Sequence, residues 1–77
     1  MTNEEKLIAA IANVLQRDVN ATSSSLLRED LGLSSLNLVE LVVAIHGKFG
    51  IDIGRRTVER KANPRTVGDL IALLEPV

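Results

Sequence analysis

The chain has no cysteine, tryptophan or tyrosine, and Phe49 is its only aromatic residue. Without cysteine, disulfides and thiolate metal sites are both excluded. Without aromatic faces there is no platform on which nucleobases could stack, which argues against nucleic acid as a partner. A formal net charge of −1 is too near neutral to point to a polyanion or an anionic membrane surface. No segment approaches the roughly 18 apolar residues needed to span a bilayer. The amino-terminal stretch "MTNEEKLIAA" lacks the basic region and unbroken apolar run of a signal peptide. These absences lead us to expect a soluble cytoplasmic protein with no membrane span.

Aliphatic side chains are plentiful: 12 Leu, 8 Val and 6 Ile among 77 residues. That is one small domain, residues 1–77, near the lower limit at which an apolar core holds without staples. Residues 3–17 read as an amphipathic helix, with Leu7, Ile11, Val14 and Leu15 at helical spacing and Ile8 widening the stripe. Thr2 or Asn3 can cap it, and Glu4 and Glu5 suit its positive end. Residues 18–34 show turn formers, a serine run and no sustained period. A structureless stretch of that length is unusual, so its leucines predict a loop pinned to the core, with one helical turn. Residues 35–49 predict a second helix whose core stripe is Leu38, Leu41, Val42, Ile45 and Phe49.

The opposite side of that second helix is unusual. Leu36, Val39 and Val43 project away from the core stripe, with Glu40 and Gly47 beside them. Apolar residues on both faces mean a central buried helix or a helix that offers an apolar strip to a partner. In so small a domain few neighbours could cover both faces, which favours the partner strip. After it, "GIDIG" reads as an extended linker with Ile51 and Ile53 turned inward. "RRTVERKAN" reads as a short third helix that uses Val58 and Ala62 for contact and is ended by Pro64. Thr66 then caps a last helix, Val67 to about Leu74, with Asp69 completing a capping box. Val67, Leu70, Ile71 and Leu74 form its inner face, and Pro76 stops it. The expected fold is all-α: a small four-helix bundle, three main helices plus one short third helix, with a long loop between helices 1 and 2.

The chain offers no complete active site. A serine nucleophile needs a base within hydrogen-bond reach. The only histidine, His46, lies eleven positions beyond Ser35, about 16 Å along a continuous helix. His46 therefore reads as a surface histidine. Carboxylates are scattered, and no Asp/His spacing matches a metal motif. What remains is a hydroxyl at a helix N-terminus, where unpaired N–H groups and the helix dipole favour a phosphate-linked group. If Ser34 is the N-cap its oxygen is tied down, and Ser35 falls on the first helical residue with a free hydroxyl. Helix ends shift by a residue or two between assignments, so this ranks the two serines without settling them.

In "DLGLSSLNLVELV", residues 30–42, the sequence resembles the acyl carrier protein family and its peptidyl carrier relatives. Asp30, Leu31 and Gly32 match the family's loop, and Ser35 with Leu36 match its serine–leucine pair. "FGIDI" and "TVGDLIALL" resemble later segments, so the likeness spans essentially the whole chain. The resemblance implies that Ser35 carries 4′-phosphopantetheine, delivered from coenzyme A by a phosphopantetheinyl transferase. The arm would hold acyl intermediates as thioesters, and acyl-transferring or acyl-modifying enzymes of a lipid, polyketide or related pathway would use them. Leu36, Val39, Glu40 and Val43 match positions that the family presents to partners. The protein itself would be a non-catalytic monomer.

Two departures stand out. Ser34 occupies the place of the family's aspartate, retaining the cap but losing a negative charge. Five of the nine basic residues, Arg55, Arg56, Arg60, Lys61 and Arg65, gather around the third helix, where the family is usually acidic. The basic run reads either as a solvated face or as the mark of a specialised carrier. Two other functions fit the same bundle: an unmodified helical adaptor docking through Leu36, Val39 and Val43, and a peptidyl or aminoacyl carrier.

Overall fold

A computed structural model describes residues 2–75, and among these the chain is all-α without a strand. The helices are α1 (Asn3–Leu15), α2 (Ser35–Phe49), α3 (Ile53–Glu59) and α4 (Val67–Leu74). Helix α1 packs against α2 and α4, and α3 packs against α2 and α4, closing a four-helix bundle.

Each main helix starts where its side chains satisfy the first unpaired amides. Thr2 Oγ1 accepts Glu5 N–H at 3.1 Å, and the Glu5 carboxylate accepts Thr2 N–H in return. Thr66 and Asp69 do the same for α4. The periodic leucines then decide which face turns inward. Leu7, Ile11, Leu41, Ile45, Ile53 and Val67 are fully buried and form the centre of the core. Burying an aliphatic side chain of this kind stabilises by about 1.5–3 kcal/mol. Leu38, Val42 and Phe49 lie half-buried around them, as the core stripe predicts. On α4, Leu73 is also buried, whereas Ile71 is half-buried at the margin.

The long loop is pinned as expected. Leu27, Leu31 and Leu33 are buried, and Leu26 is half-buried. One helix-like turn forms within it: Asp30 N–H and Leu31 N–H donate to Leu26 O, and Gly32 N–H donates to Arg28 O at 3.0 Å. The Asp30 carboxylate closes that turn by accepting Leu26 N–H at 2.8 Å. Gly32 leaves it at φ +72°, a left-handed conformation that glycine adopts without a Cβ penalty.

A second tether has no local signature. The loop lies alongside the α3–α4 connection, with Leu27 N–H bonded to Arg65 O, Val67 N–H to Ser25 O and Gly68 N–H to Ser23 O. Leu26 and Thr66 form an isolated antiparallel bridge there. These bonds explain why a loop poor in periodicity has one shape.

The third helix differs from its sequence reading. It begins at Ile53, capped by the Asp52 carboxylate on Arg55 N–H, so Ile53 is buried as a helical residue and not as part of an extended linker. It ends at Glu59, well before Pro64, and Lys61 at φ +52° turns the chain. Ala62 is consequently off the helix, and Val58 points to solvent at 78% exposure instead of making the expected contact. Helix α1 likewise stops at Leu15, with Gln16 in the left-handed region. The stop assigned to Pro76 lies outside the described residues.

The basic segment is partly internal. Arg56 donates to Leu73 O at 2.9 Å, and Arg60 donates to Ala72 O and Glu75 O. Both guanidiniums sit at the carbonyl-rich end of α4, where cations satisfy orphan acceptors and the negative end of the dipole. Arg55 pairs with Glu59 at 3.7 Å on the surface.

Candidate functional site

Ser34 is the N-cap of α2. Its backbone is extended (φ −80°, ψ 173°), and its Oγ accepts Asn37 N–H at 3.1 Å. Asn37 reciprocates: its Oδ1 accepts Ser34 N–H and the Ser34 hydroxyl. A full capping box thus forms with asparagine at the position where glutamate or glutamine is usual. The Ser34 hydroxyl both accepts and donates in this arrangement, and it has no remaining role to play outward.

Ser35 is the first residue of α2, exposed, and outside the capping box. Its Oγ has one partner, the Arg28 guanidinium, which donates to it at 2.5 Å. The first turn of α2 contains no acidic residue, so the amide ends of the helix and Arg28 together make this an electropositive spot. Arg28 was not among the residues singled out from the sequence. An arginine in an aperiodic loop carries no positional signal, and only the turn closed by Asp30 brings it back to the helix start.

Beyond Ser35, Leu36, Val39 and Val43 are 70%, 62% and 68% exposed, so the apolar side of α2 is left uncovered. Glu40 stands among them, exposed, its carboxylate accepting from Asn37 Nδ2 at 3.2 Å. Two shallow openings flank this region. One of about 410 Å³ is lined by Val39, Glu40, Val43 and Ala44 together with the last turn of α1. Another, of about 420 Å³, lies between the loop, α2 and the α3–α4 connection, with Leu26, Leu27, Arg28, Leu38, Pro64 and Arg65 on its walls.

Helix α2 is continuous from Ser35 to Phe49, which leaves His46 exposed and about 16 Å along the axis from Ser35. A Ser–His pair within the helix is therefore excluded. Among the described residues no three His, Asp or Glu side chains gather at metal-binding distance. Among the same residues no helix is long and apolar enough to cross a membrane.

The described residues thus form an all-α bundle that presents an exposed serine hydroxyl at the start of its second helix. Residues 5–74 match the family model described as "phosphopantetheine attachment site", and the chain belongs to that family. It is 37% identical to the acyl carrier protein of an Exiguobacterium species, covering 97% of this chain and 96% of that protein. It is 38% identical to the acyl carrier protein of Helicobacter pylori, over 92% of this chain and 88% of that protein. At 32% identity it also resembles the meromycolate extension acyl carrier protein of Mycobacterium tuberculosis, covering 94% of this chain and 64% of that protein. No solved structure matches the chain.

Proposed function

We propose that this chain is an acyl carrier protein that bears 4′-phosphopantetheine on Ser35. The observation that carries the assignment is the division between the two serines. Ser34 is consumed by the cap, whereas Ser35 keeps an exposed hydroxyl at the positive end of α2. Loading joins Ser35 Oγ to the pantetheine-linked phosphorus of coenzyme A, breaks the pyrophosphate bond and releases adenosine 3′,5′-bisphosphate. The hydroxyl proton goes to a base of the phosphopantetheinyl transferase, since among the described residues the side-chain partner of Ser35 Oγ is the donor Arg28 and not a base. The thiol at the end of the arm supplies the thioester on which acyl groups ride.

The residues of this chain hold, orient and present the arm and do no chemistry on the cargo. Leu36, Val39 and Val43 form the dry centre of a docking strip, and Glu40 sets its register through charge. Transferase and acyl-handling enzymes use the same face in turn, with the carrier a monomer in the cytoplasm. The named relatives are all acyl carriers, which supports acyl cargo over aminoacyl cargo.

Incubation with coenzyme A and a broad-specificity transferase, followed by intact and peptide mass spectrometry, tests the assignment. One arm is expected per chain, lost in Ser35→Ala and retained in Ser34→Ala. No adduct with several transferases would favour the unmodified adaptor, and an adduct on Ser34 would overturn the choice of serine. Faster loading of Ser34→Asp would show that the charge missing at this position limits the transferase.

A further inference from the structure

We propose that Arg28 is a positioning residue for the attached arm, a clamp that holds the phosphodiester on Ser35 against the start of α2. The inference rests on the assignment of Ser35 and goes beyond it.

Among the described residues Arg28 is the one side chain hydrogen-bonded to the Ser35 hydroxyl, its Nη2 donating to Oγ at 2.5 Å. Once Oγ is esterified it becomes a weak bridging acceptor, and the negative charge resides on two non-bridging oxygens of the same phosphorus. A guanidinium already at Oγ lies within reach of those oxygens and can exchange a neutral acceptor for an anionic one. Charge-assisted bonds of this kind are shorter and stronger than the bond they replace, and a planar guanidinium suits phosphate oxygens.

The charge of Arg28 is available for this role. The one ion pair among the described residues is Arg55–Glu59. Neither neighbouring carboxylate pairs with it: Glu29 and Asp30 form no ion pair with Arg28 within the described residues, and Asp30 Oδ2 instead accepts Leu26 N–H. With serine at position 34, the first turn of α2 holds no carboxylate to compete. The base of the side chain is also fixed, because Arg28 O accepts Gly32 N–H and the preceding Leu27 is buried and bonded to Arg65 O. An arginine anchored in this way loses less freedom on gripping a ligand than one on a mobile loop.

The test compares loaded and unloaded forms of the wild type, Arg28→Gln and Arg28→Lys. Two readouts are the rise in Tm on loading, at low and high salt, and the ³¹P resonance of the diester. Loading is expected to raise the wild-type Tm by about 2–4 °C more than that of Arg28→Gln, as suits one exposed charge pair in a domain of this size. Arg28→Lys keeps part of the increment, added salt erodes it in the wild type and in Arg28→Lys but not in Arg28→Gln, and the ³¹P resonance moves in Arg28→Gln. Using the increment on loading cancels any effect of the substitution on the unloaded fold. An adduct on Ser35 with the same increment and the same resonance in the wild type and Arg28→Gln would overturn the clamp alone. Absence of any adduct on Ser35 would overturn the attachment assignment and the clamp with it.

Discussion

Two adjacent serines with the same side chain have different chemistry because they differ by one step along a helix start. Ser34 has extended backbone and closes a capping box, and Ser35 is the first helical residue with its hydroxyl turned outward. Removing an N-cap side chain costs about 0.5–2 kcal/mol. Ser34→Ala is therefore expected to lower Tm by roughly 4–8 °C in thermal unfolding, on the scale of 1 kcal/mol in a small domain. Ser34→Asp retains a cap acceptor and should stay near the wild type. Asp69 gives a second residue-scale test. Amide hydrogens of Arg65 and Thr66 point at its carboxylate and hold its pKa below the ordinary 3.8. A pKa lowered by folding contributes stability above the unfolded value and loses it as pH falls through the folded one. Asp69→Asn should thus be less stable than the wild type at pH 6. The gap should close as both are titrated below about pH 4 in urea unfolding.

At the scale of elements, two glycines in helices call for opposite outcomes. A Cβ on Gly68, in the first turn of α4, would lie 3.0 Å from Ser23 O, the same oxygen that accepts Gly68 N–H at 2.7 Å. Gly68→Ala would push Ser23 O back by a few tenths of an ångström and strain its bond to the α4 backbone, and the expected result is lower stability despite a helix-propensity gain of about 1 kcal/mol. Gly47, exposed within α2, has nothing within 4 Å of such a Cβ. Gly47→Ala should stabilise by about 0.5–1 kcal/mol. Equal effects at the two sites, read from denaturant midpoints, would refute the close approach at Ser23.

At the scale of the whole molecule, the basic segment does two jobs that its composition does not separate. Arg56 and Arg60 end α4 from a distance and lock α3 to it, whereas Arg55 makes only an exposed pair. Surface pairs contribute little, but a part-buried hydrogen bond from a charged donor is worth about 1.5–3 kcal/mol. Arg56→Gln should accordingly cost clearly more stability than Arg55→Gln, measured side by side by thermal unfolding. The contrast also bears on partners. Arg56 and Arg60 direct guanidinium donors to α4 carbonyls, whereas Leu36, Val39 and Val43 stay uncovered on α2.

The sequence by itself determined the all-α bundle, the cap at Thr66, the inner face of α2 and the exposure of its other side. It narrowed the first cap to Thr2 or Asn3 and ranked Ser34 as the cap of α2 without settling it. Those features rest on periodicity and on hydrogen bonds between residues three or four apart, so the local order of residue types is enough to read them. The third helix was misread because Asp52 caps it ahead of two isoleucines that look extended, and Pro64 drew the end too far. Tertiary structure alone decided the reach of Arg28 to Ser35, the grip of Arg56 and Arg60 on α4, the exposure of Val58 and the seam between loop and α4. Each of these depends on where a distant turn puts a backbone carbonyl or a hydroxyl. Such placement leaves no period in the chain, because it is fixed only when the shared core has closed.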